Sequence, residues 1–319
     1  MSAAAAFGAE WTLHLIHVTL QGSAAAAVLL AVAAVVRRRS PEFRSALLGV
    51  ALLKFVVPPM LPFATGVFSR FTAVPGGRLG AGAAAVFAAV AVLHASGAGV
   101  AFVRLARERG RVRRLRRDAV PAESPSLPDL ARRFGLPYPP ELLVSAEMPV
   151  PCAVGGVRPA ILLPDAVFRS MPEPERDWIL AHELAHLRRR DPGITAIESA
   201  VVALWWFNPL VRVLAAQRRE RREESCDEEV LRRRGGDVRA YGRALLSAAA
   251  LANGRRNSAV AATGRRTDLE RRLRRLVGGV SAVRRRPGPA LAIAGAALLF
   301  LPGVRPGSRP AGAAAVVRR

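Results

Sequence analysis

The sequence predicts a mostly α-helical membrane protein, with about four transmembrane helices and an α+β domain inserted between the third and fourth. Three observations predict it. Three apolar segments of bilayer length open the chain and a shorter one lies near its end. Dense arginine clusters fall on one side of those segments. The long intervening stretch mixes short β-type runs with amphipathic helix, a pattern that requires a core of its own.

The apolar segments run from about Trp11 to Val36, Ala46 to Phe68, and Leu79 to Val103. Each reaches the roughly 20 residues that cross a hydrocarbon core. The stretch Pro289 to Val304 is shorter and Gly/Ala-rich, and is read as the fourth span. The N-terminal run lacks a basic n-region and is too long for a cleaved signal, so it is read as retained. Arg37, Arg38, Arg39 and Arg44 separate the first two spans, eight arginines from Arg104 to Arg117 follow the third, and Arg284 to Arg286 precede the fourth. Only Arg70 and Arg78 lie between the second and third. The positive-inside rule then places the N-terminus outside and the large middle region in the cytoplasm. The expected organisation is a three-span region (1–105), a basic linker (106–128), a cytoplasmic domain (129–286), a fourth span (287–304) and a short external tail (305–319).

Net charge is +24, almost all of it arginine. Because these arginines flank apolar segments, the expected partner is membrane lipid, and no direct nucleic-acid partner is expected. Cys152 and Cys226 make no disulfide framework and fit a reducing compartment.

Inside the middle region, Leu142 to Ser145 and Ala160 to Leu163 read as strands, with Cys152 to Gly156 a third strand or a turn. Ala160 to Leu163 is the expected edge on which a substrate chain pairs. A helix follows, with Ser170 and Glu173 at capping-box spacing and Pro172 and Pro174 suited to its first turn, ending near Arg190 before Pro192. On that helix His182 and His186 project from one face beside Glu183. This is the HExxH pattern: two imidazoles hold one zinc ion per chain, and the glutamate handles the proton of a water. No histidine follows His186, so the third ligand is expected to be a carboxylate. Glu223 is the first choice. Asp227, four residues on, is expected to take a hydrogen bond from the far nitrogen of a ligand histidine. Glu224, Glu228 and Glu229 are alternatives. Tyr241 is a candidate transition-state donor, though packing is the commoner use of such a tyrosine.

The stretch 194–216 is long enough to span, yet it lies between the two halves of the proposed site. A crossing would separate them by roughly 30 Å. Asn208-Pro209 offers a break, so a hairpin dipping into the membrane is expected. His14 and His17 share a face of the first span and suit interhelical hydrogen bonding. Leu269, Leu273 and Leu276 form a stripe among arginines, for the inner leaflet or for packing on the cytoplasmic domain.

Residues 179–191 (ILAHELAHLRRRD), 206–209 (WFNP) and 223–227 (EESCD), with Pro151 to Pro164 upstream, resemble the BlaR/MecR-type integral-membrane zinc peptidases. The resemblance covers about Trp11 to Val304 and is most specific from 150 to 230. It implies a gluzincin site of His182, His186 and Glu223 with Glu183 as general base. It also implies a protein substrate, a cytoplasmic transcriptional repressor and the enzyme itself in signalling members, with homodimers allowed. Those members carry an external penicillin-binding sensor. About fifteen residues follow the fourth apolar segment here, so a β-lactam receptor role is not expected. Quality-control proteolysis and an idle signalling scaffold are the competing readings.

Overall fold

Helices α1 (Ala3–Val35), α2 (Pro41–Val56) and α3 (Ala81–Arg117) open the computed structural model, which describes residues 3–36, 39–56, 81–253 and 269–278. Alanine and leucine dominate them and no proline interrupts them, so each stays an unbroken helix. Val18–Val35 and Gly82–Arg117 are long and apolar enough to cross a membrane. Large apolar side chains stay exposed along both helices, among them Leu20, Val28, Val86, Val92, Leu93 and Phe102. A surface of that kind suits hydrocarbon rather than water. The second expected span beyond Val56, the fourth span and the tail lie outside the described residues, as do the side chains of His14 and His17.

Helix α3 continues without a break through the expected boundary between third span and basic linker. Helix α3 runs on for 37 residues in all, about 55 Å at 1.5 Å per residue, against a hydrocarbon core of roughly 30 Å. Its arginine-rich end therefore extends well past its apolar part.

The α+β part follows as β1 (Val120–Pro121), α4 (Leu127–Arg133), β2 (Glu141–Ser145), β3 (Cys152–Val154), β4 (Ala160–Pro164), α5 (Asp165–Ser170), α6 (Glu173–Arg188), α7 (Asp191–Leu204), α8 (Pro209–Arg234) and α9 (Val238–Asn253). Residues 269–277 are also helical and are termed α10. The sheet order is β1-β2-β4-β3, with β2 and β4 parallel and the outer pairs antiparallel. Strand β4 is buried throughout and sits between β2 and β3, so it is not the edge expected from its sequence. The edge beside α6 is β3.

Two expectations about α6 also change. Its N-cap is Pro172, and Ser170 instead closes α5, so no capping box forms. The helix ends at Arg188, and Arg190 takes the left-handed conformation that turns the chain straight into α7. The apolar side of α6, including Trp178, Leu180 and Leu184, packs with Phe134, Leu163, Val230 and Tyr241 in one core. Leu276 joins that core and Leu269 packs against it, so the leucine stripe of α10 serves the domain.

Between the two halves of the site the chain turns back. Helix α7 stops at Leu204, and α8 begins at Pro209 after Asn208 accepts a hydrogen bond from the Leu210 amide. The turn sits among the first three helices. Asn208 Nδ2 donates to Ser23 Oγ at 3.0 Å, Trp205 Nε1 donates to the Phe55 carbonyl at 3.0 Å, and His94 Nε2 lies 3.1 Å from the Leu204 carbonyl. Trp206 lies so close to Gly97 of α3 that no Cβ fits there. Asn208→Ala removes the cap and the bond to Ser23 together, and is expected to cost about 1–3 kcal/mol. Thermal unfolding in detergent checks this; an unchanged midpoint would reject the role of this turn.

Candidate metal centre

HExxH spacing on α6 and a reversed α8 bring three Lewis bases to one point. The Nε2 atoms of His182 and His186 are 3.2 Å apart. Glu223 places Oε2 3.4 Å from the first and Oε1 3.8 Å from the second. One donor atom from each of the three lies within 4.8 Å of the others. Glu183 is almost fully buried and lines the same cavity as these three.

The back of each ring explains why both Nε2 atoms present lone pairs. Tyr241, fully buried on α9, donates to Asp227 Oδ1 at 2.7 Å, so its oxygen is left to accept from His182 Nδ1 at 2.9 Å. Asp191, the first residue of α7, accepts from His186 Nδ1 at 2.8 Å. With both protons held on Nδ1, both Nε2 atoms are acceptors aimed at Glu223. Three bases facing one another fit a cation. Two imidazoles, one carboxylate and an adjoining cavity form the donor set of a catalytic zinc, with room for a further ligand.

Electrostatics agree. Burial alone would push the Glu223 carboxyl up, but His182, Arg272 and His186 hold it well below the usual carboxylate range. Burial opposes a charge on His186, while Asp191 and Glu223 beside it favour positive charge there, whether of a second ring proton or of a bound cation. Burial raises the Cys226 thiol to about 11. Its Sγ stands 3.3 Å from His186 Nδ1, behind the ring, as a packed thiol.

Sequence reasoning placed Asp227 directly against a histidine. The structure puts it 3.5 Å from His182 Nδ1, with Tyr241 as the closer link between them. Tyr241 thus lies behind the ring and outside the cavity lining, a placement that suits holding His182 better than donating to a substrate. Of the alternatives to Glu223, Glu224 pairs with Arg44, Arg221 and Arg275, and Glu229 with Arg188, Arg232 and Arg233.

Two contributors were missed. Arg272 on α10 grips Asp227 with Nη2 at 2.6 Å and Nε at 3.1 Å, and its Nη1 lies 3.4 Å from Glu223 Oε2. Its one signal in the sequence was its place beside the leucine stripe. The other is Asp191, which lies near Arg189 and Arg222 but makes its shortest bond to His186. Behind it, Arg222 donates to Glu198 at 2.5 Å, Glu198 accepts from Arg218 at 2.6 Å, and Arg218 donates to the Ser45 carbonyl of α2. A chain of charge-assisted hydrogen bonds and one longer ion pair, Arg222 to Asp191 at 3.7 Å, thus joins His186 to the second helix.

The fold and site together define a membrane-associated metallopeptidase. The pattern of the BlaR1 peptidase M56 family matches residues 81–276, more than half of the chain, and the chain belongs to that family. No curated protein matches it.

Two outcomes follow from this geometry. Asp191→Asn weakens the acceptor that orients His186, and is expected to lower zinc affinity by about 10–100-fold in a chelator competition. Unchanged affinity would sink the positioning role. Separately, burial and then Glu224 push the Glu228 carboxyl up to about 7. The folded state then keeps a proton that the unfolded state releases near 4.5, so this group costs stability increasingly between those pH values. Glu228→Gln is expected to stabilise the protein by about 1 kcal/mol at pH 8, after allowance for solvent screening, and by almost nothing near pH 4.5. Melting curves at the two pH values check the sign.

Proposed function

We propose that this chain is a membrane-embedded zinc endopeptidase that hydrolyses peptide bonds at the cytoplasmic face, with His182, His186 and Glu223 as metal ligands and Glu183 as general base. The observation that carries the reading is the convergence of both Nε2 atoms and the Glu223 carboxylate beside a buried glutamate in an open cavity. Family membership supports the peptidase part. A zinc ion held by His182, His186 and Glu223 would supply Lewis acidity and lower the pKa of a water.

The rest is the work of the chain's own residues. Glu183 accepts the proton of the attacking water and delivers it to the leaving amine. Tyr241 with Asp227, and Asp191, hold the two imidazoles in the ligating tautomer. The free edge of β3, whose Cys152 to Val154 line the cavity, is the place for a substrate chain to pair as an added strand.

The biological role proposed is regulated cleavage of a cytoplasmic transcriptional repressor, and of the enzyme itself. The α7–α8 hairpin is proposed to dip into the membrane with the first three helices, which its contacts with Ser23, Phe55 and His94 support. The four-span, N-out topology of the sequence reading is retained as part of the proposal.

Glu183→Gln is expected to keep zinc bound and to lower cleavage of a protein substrate by at least about 100-fold. Chelation of the wild type should abolish activity and zinc should restore it. Zinc content and fragment formation measured on the same preparations check this, and proteolysis retained in the variant would reject the assignment.

A further inference from the structure

The cavity that holds the metal residues is not closed by the cytoplasmic domain alone. Its volume is about 1980 Å³, and one wall is α3, from Ser96 to Arg113. That helix contributes Arg104, Arg109 and Arg113 to the lining of the cavity. Arg219 of α8 lines the same space. Arg109 donates to the Ala196 carbonyl, and no carboxylate pairs with Arg104, Arg113 or Arg219 among the described residues. Of the lining acidic residues away from the metal point, Glu220 is matched by Arg271 and Arg221 and Glu198 by Arg218 and Arg222, which leaves Glu108 on the α3 wall.

Membrane topology accounts for the abundance of arginine at the end of a span. It does not account for which arginines face the metal site. Arg107, Arg111 and Arg114 of the same helix do not line the cavity, whereas Arg104, Arg109 and Arg113 do. A cleft with walls of one sign concentrates a ligand of the opposite sign. Carboxylates on an extended chain match guanidinium groups set along a groove. A lipid headgroup is the weaker match, because β3, α6, α9 and α10 also wall this space and the histidines form part of its lining.

We infer that Arg104, Arg113 and Arg219, which line one cavity with the metal residues, provide a binding subsite for acidic side chains, so that the preferred substrate is a peptide segment rich in Asp and Glu close to the scissile bond. The inference rests on the peptidase reading above and names the substrate class of that site.

The test uses the full-length Glu183→Gln protein in phosphatidylcholine nanodiscs. Two labelled decapeptides share their apolar residues and differ in carrying Asp and Glu or carrying Lys. The acidic peptide is expected to bind about tenfold more tightly at about 50 mM salt, and the difference should shrink towards parity at about 500 mM. The double variant Arg113→Glu/Arg219→Glu should invert the order, and Arg104→Glu alone should move it the same way. A ratio of two affinities on one preparation is insensitive to a misfolded fraction. Equal binding at low salt overturns the inference, and so does a preference that survives the charge reversals. Binding of phosphatidylglycerol vesicles without any peptide preference also overturns it and assigns the arginines to lipid. If wild-type protein cleaves neither peptide while the binding preference holds, the peptidase reading alone fails. If it cleaves both equally well, the acidic subsite alone fails.

Discussion

Two imidazole nitrogens and a carboxylate meet at one point, and they sit on two different helices with a long apolar stretch between them. That meeting constrains the chain path. The apolar stretch cannot leave and stay away; it must bring α8 back to α6. The reversal at Trp205 to Asn208 meets the demand, and its tip finds partners on all three preceding helices. The bundle and the metal point are therefore parts of one packing problem, since what fixes the turn also fixes Glu223.

The electrostatic arrangement follows the same logic. Acidic groups are buried around the site, and Asp227 and Glu198 are each answered by more than one arginine. Asp227 is held by Arg272, Arg275 and Tyr241, and Glu198 by Arg218 and Arg222. Removing one partner of such a pair leaves a buried charge uncompensated, which is far more costly than never having had the pair. The excess of arginine has a structural use here beyond topology, because guanidinium forks bridge carboxylates from different helices. Helix α10 is attached to the site largely in this way, through Arg272 and Arg275.

Much of this was legible in the sequence. Helical spacing put His182 and His186 on one face, and the scarcity of histidine pointed to a carboxylate and so to Glu223. The need for the ligands to meet foretold the hairpin, and Asn208-Pro209 marked its turn. What stayed hidden depended on contacts without a local pattern. Asp191 reaches His186 because Arg190 adopts a left-handed turn, which no motif announces. Tyr241 looked like a donor to substrate because its distance from α6 in sequence gave no hint of which side of the ring it would take. Strand order was likewise invisible, since β3 pairs outside β4 by a return of the chain and left the expected edge in the middle. Ser170 had the right spacing for a cap, but a preceding short helix claimed it.

Helix α3 is a single rod, without proline or a break from Ala81 to Arg117. One end carries the apolar surface suited to lipid and the other walls the cleft. No proline interrupts the backbone hydrogen bonding between those two ends. One continuous helix thus serves both as a surface suited to lipid and as a wall of the cleft, so a rigid tilt of it would swing its arginine end sideways and change the width of the groove, as the handle of a pair of tongs moves its jaw.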